Sequence, residues 1–243
     1  MILESVLDKK KANKKVFCVL IDPDKFPEEN ILKIITAMET AAPDLILVGG
    51  SLVTKKTEST VDVLKKHLSI PVLLFPGSLL QLTTNADGIL FISLISGRNP
   101  ELLIGNHVAS APVIRSSGME VISTGYILID GGTTTSVEYM SQTKPIPALK
   151  TDIAVATAMA GEMLGQKLIY LEGGSGALNP VPVEMIEAVK QNISIPLIVG
   201  GGLNTKEKVK AACDAGADII VVGNAFEKDL SLLKEFKEIV SAY

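Results

Sequence analysis

The sequence predicts an α/β fold: one TIM-type (β/α)8 barrel spanning residues 1–243, with a modified third crossover and a long insertion around residues 125–150. Three observations carry the prediction. The length of 243 residues is that of a single such barrel and suffices to bury most of the surface that the unfolded chain exposes. Eight short apolar runs alternate with longer helical patterns along the whole chain, as a parallel sheet with crossover helices requires. The loops behind the last runs are crowded with glycine, while no G-x-G-x-x-G follows the first, as an open dinucleotide-binding sheet would have.

The elements follow in order. MILESVLDKKKANKK has apolar positions at helical spacing and then lysines, and predicts a short helix capping the barrel floor. The strands are VFCVLID (16–22), LILVG (45–49), VLLFP (72–76), GILFISL (88–94), a stretch near EVISTGYILID (120–130), LIYLE (168–172), PLIVG (196–200) and DIIVVG (218–223). Between them PEENILKIITAMETA, NPELLIGNHVASAPVI, DIAVATAMAGEMLG and NTKEKVKAACDAG carry apolar residues three and four apart, often behind an Asn or Pro start signal. The third crossover, GSLLQLTTNADG, is too short for a full helix. Residues 125–150, rich in Gly, Thr and Pro, fit a lid or binding loop better than an idle linker.

Composition excludes several functions. Although 47% of residues are hydrophobic and the mean hydropathy is +0.36, no run approaches the roughly 18 to 20 apolar residues of a membrane span. The N-terminus lacks a hydrophobic signal core and a small-residue cleavage site, so a cytoplasmic location is expected. The net charge of −4 has both signs interspersed and offers nucleic acid no basic stripe. Cys18 and Cys213 lie in apolar patterns without metal or disulfide spacing, which predicts buried free thiols.

In these barrels the reacting groups stand at the C-terminal ends of the strands. There the sequence places Asp22, Gly49–Gly50–Ser51, the segment Tyr170 to Gly176, Gly200–Gly201–Gly202 and Gly223–Asn224. Glycines let backbone N–H groups approach an oxyanion, and helices starting at Asn204 or Asn224 would point their positive ends at it. Tight turns alone could also use these glycines, but two adjacent glycine loops favour a phosphate. Residues two apart on a strand share a side, so Tyr170 and Glu172 face the barrel interior and Leu171 packs outward. Glu172 then serves as a general base, or braces its loop by accepting N–H groups. Asp22 with the Ser51 hydroxyl offers the sparse hard-oxygen set that suits Mg²⁺, or Asp22 caps the next helix. Asp24 and Lys25 look like loop surface, and His67 and His107 like surface or packing residues of helices. Arg98 and Asn99 lie on the correct rim for a second anionic group, though helix initiation explains Asn99 equally well.

VFCVLIDPDK, LILVGGS, FISLISGRNPELLIGNH, STGYILIDGGTTTS with the later KPIP, YLEGGSGA, and IVGGGLNT with VVGNAFE together resemble the geranylgeranylglyceryl phosphate synthase family, in the bacterial branch of these archaeal-type enzymes. The resemblance runs in order over nearly the whole chain. It implies a prenyltransferase that joins a polyprenyl diphosphate, geranylgeranyl by the family's name, to the C3 hydroxyl of sn-glycerol 1-phosphate and releases diphosphate. It implies Mg²⁺ at Asp22 and Ser51, and glycerol 1-phosphate held by Tyr170, Leu171, Glu172, Gly173, Gly174, Ser175 and Gly176. Gly201, Gly202, Gly223 and Asn224 would anchor the phosphate, and Glu172 would take the hydroxyl proton. Tyr126, placed in the insertion, would gate the prenyl chain, and a homo-oligomer (dimer or hexamer) is expected. The competing readings are a sugar-phosphate isomerase or lyase, which would need neither Mg²⁺ nor a prenyl donor, and a phosphometabolite-binding barrel without chemistry.

Overall fold

The computed structural model describes residues 1–26 and 28–243. Eight parallel strands close on themselves in sequence order: β1 (Val16–Ile21), β2 (Leu45–Val48), β3 (Val72–Leu74), β4 (Gly88–Leu94), β5 (Glu120–Leu128), β6 (Leu168–Glu172), β7 (Leu197–Gly200) and β8 (Ile219–Val222). β8 pairs back onto β1, with Val16 opposite Ile219. The TIM barrel predicted from the sequence is therefore the fold.

Two-residue alternation builds two cores. Cys18, Leu47, Leu73, Leu90, Tyr170 and Val221 point inward and fill the barrel. Their neighbours Phe17, Val19, Ile46, Leu171, Val199 and Ile220 point outward and pack under the helices. α1 (Ile2–Lys11) closes the floor, with Val6 among the interior side chains and the Ile2 and Leu3 N–H groups donated to the Glu120 carboxylate. The outer ring holds α2 (Glu28–Ala41), α3 (Thr57–His67), α4 (Asn106–Ser117), α5 (Ser136–Ser141), α6 (Thr151–Met163), α7 (Val183–Asn192), α8 (Lys206–Asp214), α9 (Asn224–Lys228) and α10 (Leu232–Ser241). Both cysteines are buried free thiols.

The third crossover contains only a 3₁₀ turn, Leu79–Gln81. The buried Gln81 amide holds this flank: Nε2 donates to Gly50 O at 2.7 Å, and Oε1 accepts the Gly50 and Gly77 N–H groups at 3.1 and 3.3 Å. One side chain thus joins the loops after β2 and β3 where a helix would otherwise stand.

Three expectations are corrected. Residues Gly125 to Leu128 belong to β5, which pairs with β4 as far as Tyr126 and with β6 as far as Leu128, so the insertion starts at Ile129 and Tyr126 is a barrel strand residue. The insertion itself is ordered, with an Ile129–Ile146 bridge and α5 capped by Thr135. The helix after β7 starts at Lys206 behind a Thr205 cap, not at Asn204, and Asn224 opens a helix of only five residues. The pattern from 99 to 114 splits into a π-helical turn at Glu101–Gly105 and then α4.

Candidate active site

The C-terminal rim of the barrel divides into two unlike halves. The first comprises the loops after β6, β7 and β8. Glu172 ends β6 with its side chain turned inward and 5% exposed. Its Oε1 accepts the Gly174 N–H at 2.7 Å, and Gly173 N–H donates to Gly200 O at 3.0 Å, so the loop turns back over β7. The second carboxylate oxygen accepts no hydrogen bond among the described residues and stays available to a substrate hydroxyl. Burial pushes the Glu172 carboxyl up to about 7, against the pull of the Gly174 N–H and the neighbouring Tyr170 hydroxyl. That hydroxyl is near enough to feel the charge, yet it is not in hydrogen-bonding geometry with any described group. Burial also lifts the Tyr170 phenol well above its ordinary value.

Gly201, at φ +80°, is the tightest point of these three loops: a Cβ there would stand 2.3 Å from Glu172 Oε1 and 2.5 and 2.7 Å from the Gly174 and Gly173 nitrogens. The Gly201 backbone is thus pressed against the carboxylate and two N–H groups, an approach only glycine permits. Gly202, Gly174 and Gly176 are also left-handed. Ser175 and the Asn224 amide bond each other. With its oxygen toward the loop, Asn224 accepts the Gly176 N–H at 3.2 Å and donates to Glu227 Oε1 at 3.3 Å. The loops after β6, β7 and β8 therefore form one glycine-rich cradle around the Glu172 carboxylate. Leu171 is the exception within its segment, since its side chain packs outward under the helices.

The second half lies over β1 to β5. Asp22 follows β1, its Oδ1 accepting the Asp24 N–H at 3.0 Å, and burial raises its carboxyl above the ordinary range. A Cβ on Gly50, the residue before Ser51, would lie 3.2 Å from Asp22 Oδ2, so the two strand ends are in contact. The donor set here is one carboxylate and one hydroxyl, with no group of three His, Cys, Asp or Glu among the described residues. That chemistry fits a hard cation that keeps waters and takes further oxygens from a phosphorylated substrate, and not a caged metal. Asp24 and Lys25 lie on the loop surface, as expected, and also make contacts remote in sequence: Asp24 accepts the Thr54 and Lys55 N–H groups at 2.8 and 2.9 Å, and Lys25 Nζ stands 3.9 Å from Asp22 and 3.6 Å from Glu227.

From Ser51 a cavity of about 430 Å³ runs under the ends of β3, β4 and β5, walled mainly by Phe75, Leu90, Leu94, Tyr126 and Met140. Phe75, Tyr126 and Tyr170 form an aromatic group, with centroids 5.5 Å apart for Phe75–Tyr170 and 5.2 Å for Tyr126–Tyr170. Phe75 and Tyr126 line the cavity, and Tyr170, two residues before Glu172 on β6, connects them to the cradle. His107, expected at the surface or in packing, is packed in the cavity wall, edge-on to Phe91 at 4.5 Å and with Nε2 3.2 Å from Ser93 Oγ. Arg98 donates to the Gly97 and Ile95 carbonyls of its own loop, and His67 is exposed at the end of α3. Sequence reasoning missed Phe75, whose only signal is an aromatic at the end of a strand, and it missed the short third crossover as the opening of a cavity.

Comparison with known proteins agrees with this geometry. The PcrB family model matches residues 9–242. A geranylgeranylglyceryl phosphate synthase of Chitinophaga pinensis is 52% identical over 99% of this chain and 96% of its own. One from Thermococcus gammatolerans is 43% identical over 98% of this chain and 94% of its own. The crystal structure of (S)-3-O-geranylgeranylglyceryl phosphate synthase from Thermoplasma acidophilum, in complex with its substrate sn-glycerol-1-phosphate, superposes with a TM-score of 0.93 at 32% identity, covering 100% of this chain and 99% of that one. The chain belongs to the PcrB family, among the geranylgeranylglyceryl phosphate synthases.

Proposed function

We propose that the protein transfers a prenyl group, geranylgeranyl in the name its relatives carry, from a polyprenyl diphosphate to the C3 hydroxyl of sn-glycerol 1-phosphate, releasing diphosphate. The observation that carries this reading is the divided rim: a glycine cradle around a free carboxylate oxygen on one side, an apolar cavity on the other, and Ser51 in the cavity's lining with the Asp22 carboxylate beside the adjoining Gly50. A small phosphorylated acceptor fits the first half and a diphosphate with a long hydrocarbon tail fits the second.

The loops at Tyr170, Glu172 to Gly176, Gly201, Gly202, Gly223 and Asn224 bind and orient the acceptor, their backbone N–H groups facing its phosphate. Leu171 contributes through its backbone. The free oxygen of Glu172 accepts the C3 hydroxyl proton as the hydroxyl oxygen bonds to the first carbon of the prenyl chain and the bond from that carbon to diphosphate breaks. A carboxyl titrating at about 7 is matched to this task near neutral pH. The Phe75 and Tyr126 rings exclude water from the allylic carbon, where hydroxide or water would otherwise compete. Asp22 and Ser51 would hold Mg²⁺, which when bound offsets charge on the departing diphosphate. The family resemblance supports a cytoplasmic location and a homo-oligomeric assembly as part of this proposal. The sugar-phosphate isomerase or lyase reading is not favoured, because a hydrophilic sugar phosphate leaves the apolar cavity without an occupant.

The test is incubation with labelled sn-glycerol 1-phosphate, Mg²⁺ and prenyl diphosphates of graded length. An extractable ether-linked lipid is expected, and no such product from any donor would overturn the proposal. Asp22→Asn should raise the Mg²⁺ concentration needed for half-maximal rate by about tenfold or more, since removing one charged ligand from a sparse site forfeits on the order of 1.4 kcal/mol or more. An unchanged Mg²⁺ titration would remove Asp22 from the metal.

A further inference from the structure

The cavity does not end inside the protein. Leu52, Leu79, Leu80 and Met140 all line it, yet they are 60%, 40%, 93% and 48% exposed. Side chains that are at once cavity wall and protein surface mark its mouth. The neighbouring Tyr139 is 78% exposed on the same short helix as Met140. The mouth exists because the third crossover is a 3₁₀ turn: where a helix would cover the ends of β2 and β3, the chain presents Leu79 and Leu80 to the outside. A contiguous apolar rim of this kind is an interaction surface rather than scattered exposure.

Two exposed lysines stand beside it. Residues 52–58 continue from Leu52 through the exposed Lys55 and Lys56, with the Asp24 carboxylate and Glu58 as the acidic groups on the same stretch. Asp24 holds this segment in place through the Thr54 and Lys55 N–H groups, so the lysines are carried on a fixed part of the rim. Apolar side chains flanked by lysines, with a tyrosine at the margin, are the composition that seats at the boundary of a membrane with negative headgroups.

We propose that the mouth of the cavity, formed by Leu52, Leu79, Leu80 and Met140 with Lys55 and Lys56 beside it, is a docking surface for an anionic lipid bilayer. The inference rests on the synthase reading for its purpose. A prenyl tail resists entry into water methylene by methylene, so a cavity that holds one is best filled and emptied against a hydrocarbon phase. Docking lets the donor's tail slide in from the bilayer and lets the ether product leave the same way. The glycine cradle, on the other half of the rim, stays open to the water-soluble acceptor.

The test is co-sedimentation of the intact protein with sucrose-loaded vesicles, either phosphatidylcholine alone or equal parts phosphatidylcholine and phosphatidylglycerol. The protein should pellet with the anionic vesicles and do so weakly with the neutral ones. The double variant Leu79→Ser/Leu80→Ser should weaken partitioning at least tenfold, and Lys55→Gln/Lys56→Gln should erase the preference for anionic vesicles without losing the fold, as circular dichroism would show. Wild-type protein that stays in the supernatant with both vesicle types overturns the proposal. So does a Leu79→Ser/Leu80→Ser variant that pellets as well as wild type, or one that leaves vesicle binding unchanged while breaking a wild-type oligomer on size-exclusion chromatography, which would make the mouth a contact between two copies. Ether synthesis in detergent, measured in parallel, separates the two readings: turnover without pelleting removes the docking surface and leaves the synthase in place.

Discussion

Replacing Glu172 by Gln is expected to lower kcat about 10²- to 10⁴-fold, the usual contribution of a positioned general base, while the dissociation constant for glycerol 1-phosphate changes by no more than a few-fold. The amide keeps an oxygen where Oε1 accepts the Gly174 N–H, so the cradle keeps its shape and only the proton acceptor is lost. In the wild type, kcat/KM should fall on the acid side with an apparent pKa near the Glu172 value of about 7, because the protonated carboxyl cannot act as a base. The variant's residual rate should lack that limb. A Glu172→Gln enzyme with wild-type turnover would reduce Glu172 to a brace of its loop.

The same group makes a prediction about stability whose sign follows from linkage. The unfolded carboxyl titrates near 4.5 and the folded one at about 7, raised by burial, so between these values the folded chain holds the extra proton. The contribution is complete below the unfolded value and is lost as pH rises through the folded one, by about 3 kcal/mol at most for a shift of this size. Urea unfolding at about pH 5 and about pH 8 should therefore show a loss that is smaller in the Glu172→Gln variant by about 2.5 kcal/mol, because part of the contribution is already gone at pH 5. Equal slopes in the two proteins would mean that Glu172 is ionised at both pH values.

The half of the site around Glu172 was legible in the sequence because its signals are local. Two-residue alternation in LIYLE alone puts Tyr170 and Glu172 inside and Leu171 outside, as the structure has them. Consecutive glycines behind β6 and β7 announce a tight backbone without any knowledge of what lies opposite. The apolar half was legible only in part: a trough of aliphatic strand ends and the insertion is what a prenyl chain demands, and Leu90, Leu94 and Met140 supply it, but the turn after β3 and His107 of α4 also wall it and read as ordinary surface or packing in their own segments. Tyr126 was assigned to the insertion because the glycines and threonines that follow it look like loop, while the pairing that holds it in β5 is made with β4 and β6, some thirty to forty residues away on either side. The contacts of Asp24 and Lys25 were hidden for the same reason: their partners, Thr54, Lys55 and Glu227, are remote in sequence, although both residues do lie on the loop surface.

Gly201→Ala is expected to lower kcat/KM about 10²-fold, the loss typical of a catalytic group displaced by about 1 Å, and to destabilise the fold by about 1–3 kcal/mol. Two costs act at this position and a second variant separates them. The left-handed backbone, φ +80°, strains any residue with a side chain. Gly118 has nearly the same conformation, φ +75°, at the end of α4, but a Cβ there would meet nothing within 4 Å. Gly118→Ala therefore reports backbone strain alone, and should cost about 1 kcal/mol in stability with activity unchanged. At Gly201 the added methyl would stand 2.3 Å from Glu172 Oε1 and 2.5 Å from the Gly174 nitrogen, so it must displace the base, the backbone of the acceptor loop, or both. The Gly174 nitrogen is backbone and has no room to step aside, and the Glu172 carboxylate steps aside only by giving up its bond to the Gly174 N–H and the position of the base. If thermal unfolding shows similar losses for the two variants while only Gly201→Ala loses turnover, the close approach of β7 to Glu172 is what holds the base in place. Should Gly201→Ala retain wild-type kcat/KM, the contact between the two loops would be a matter of folding alone, and Glu172 would owe its position to β6.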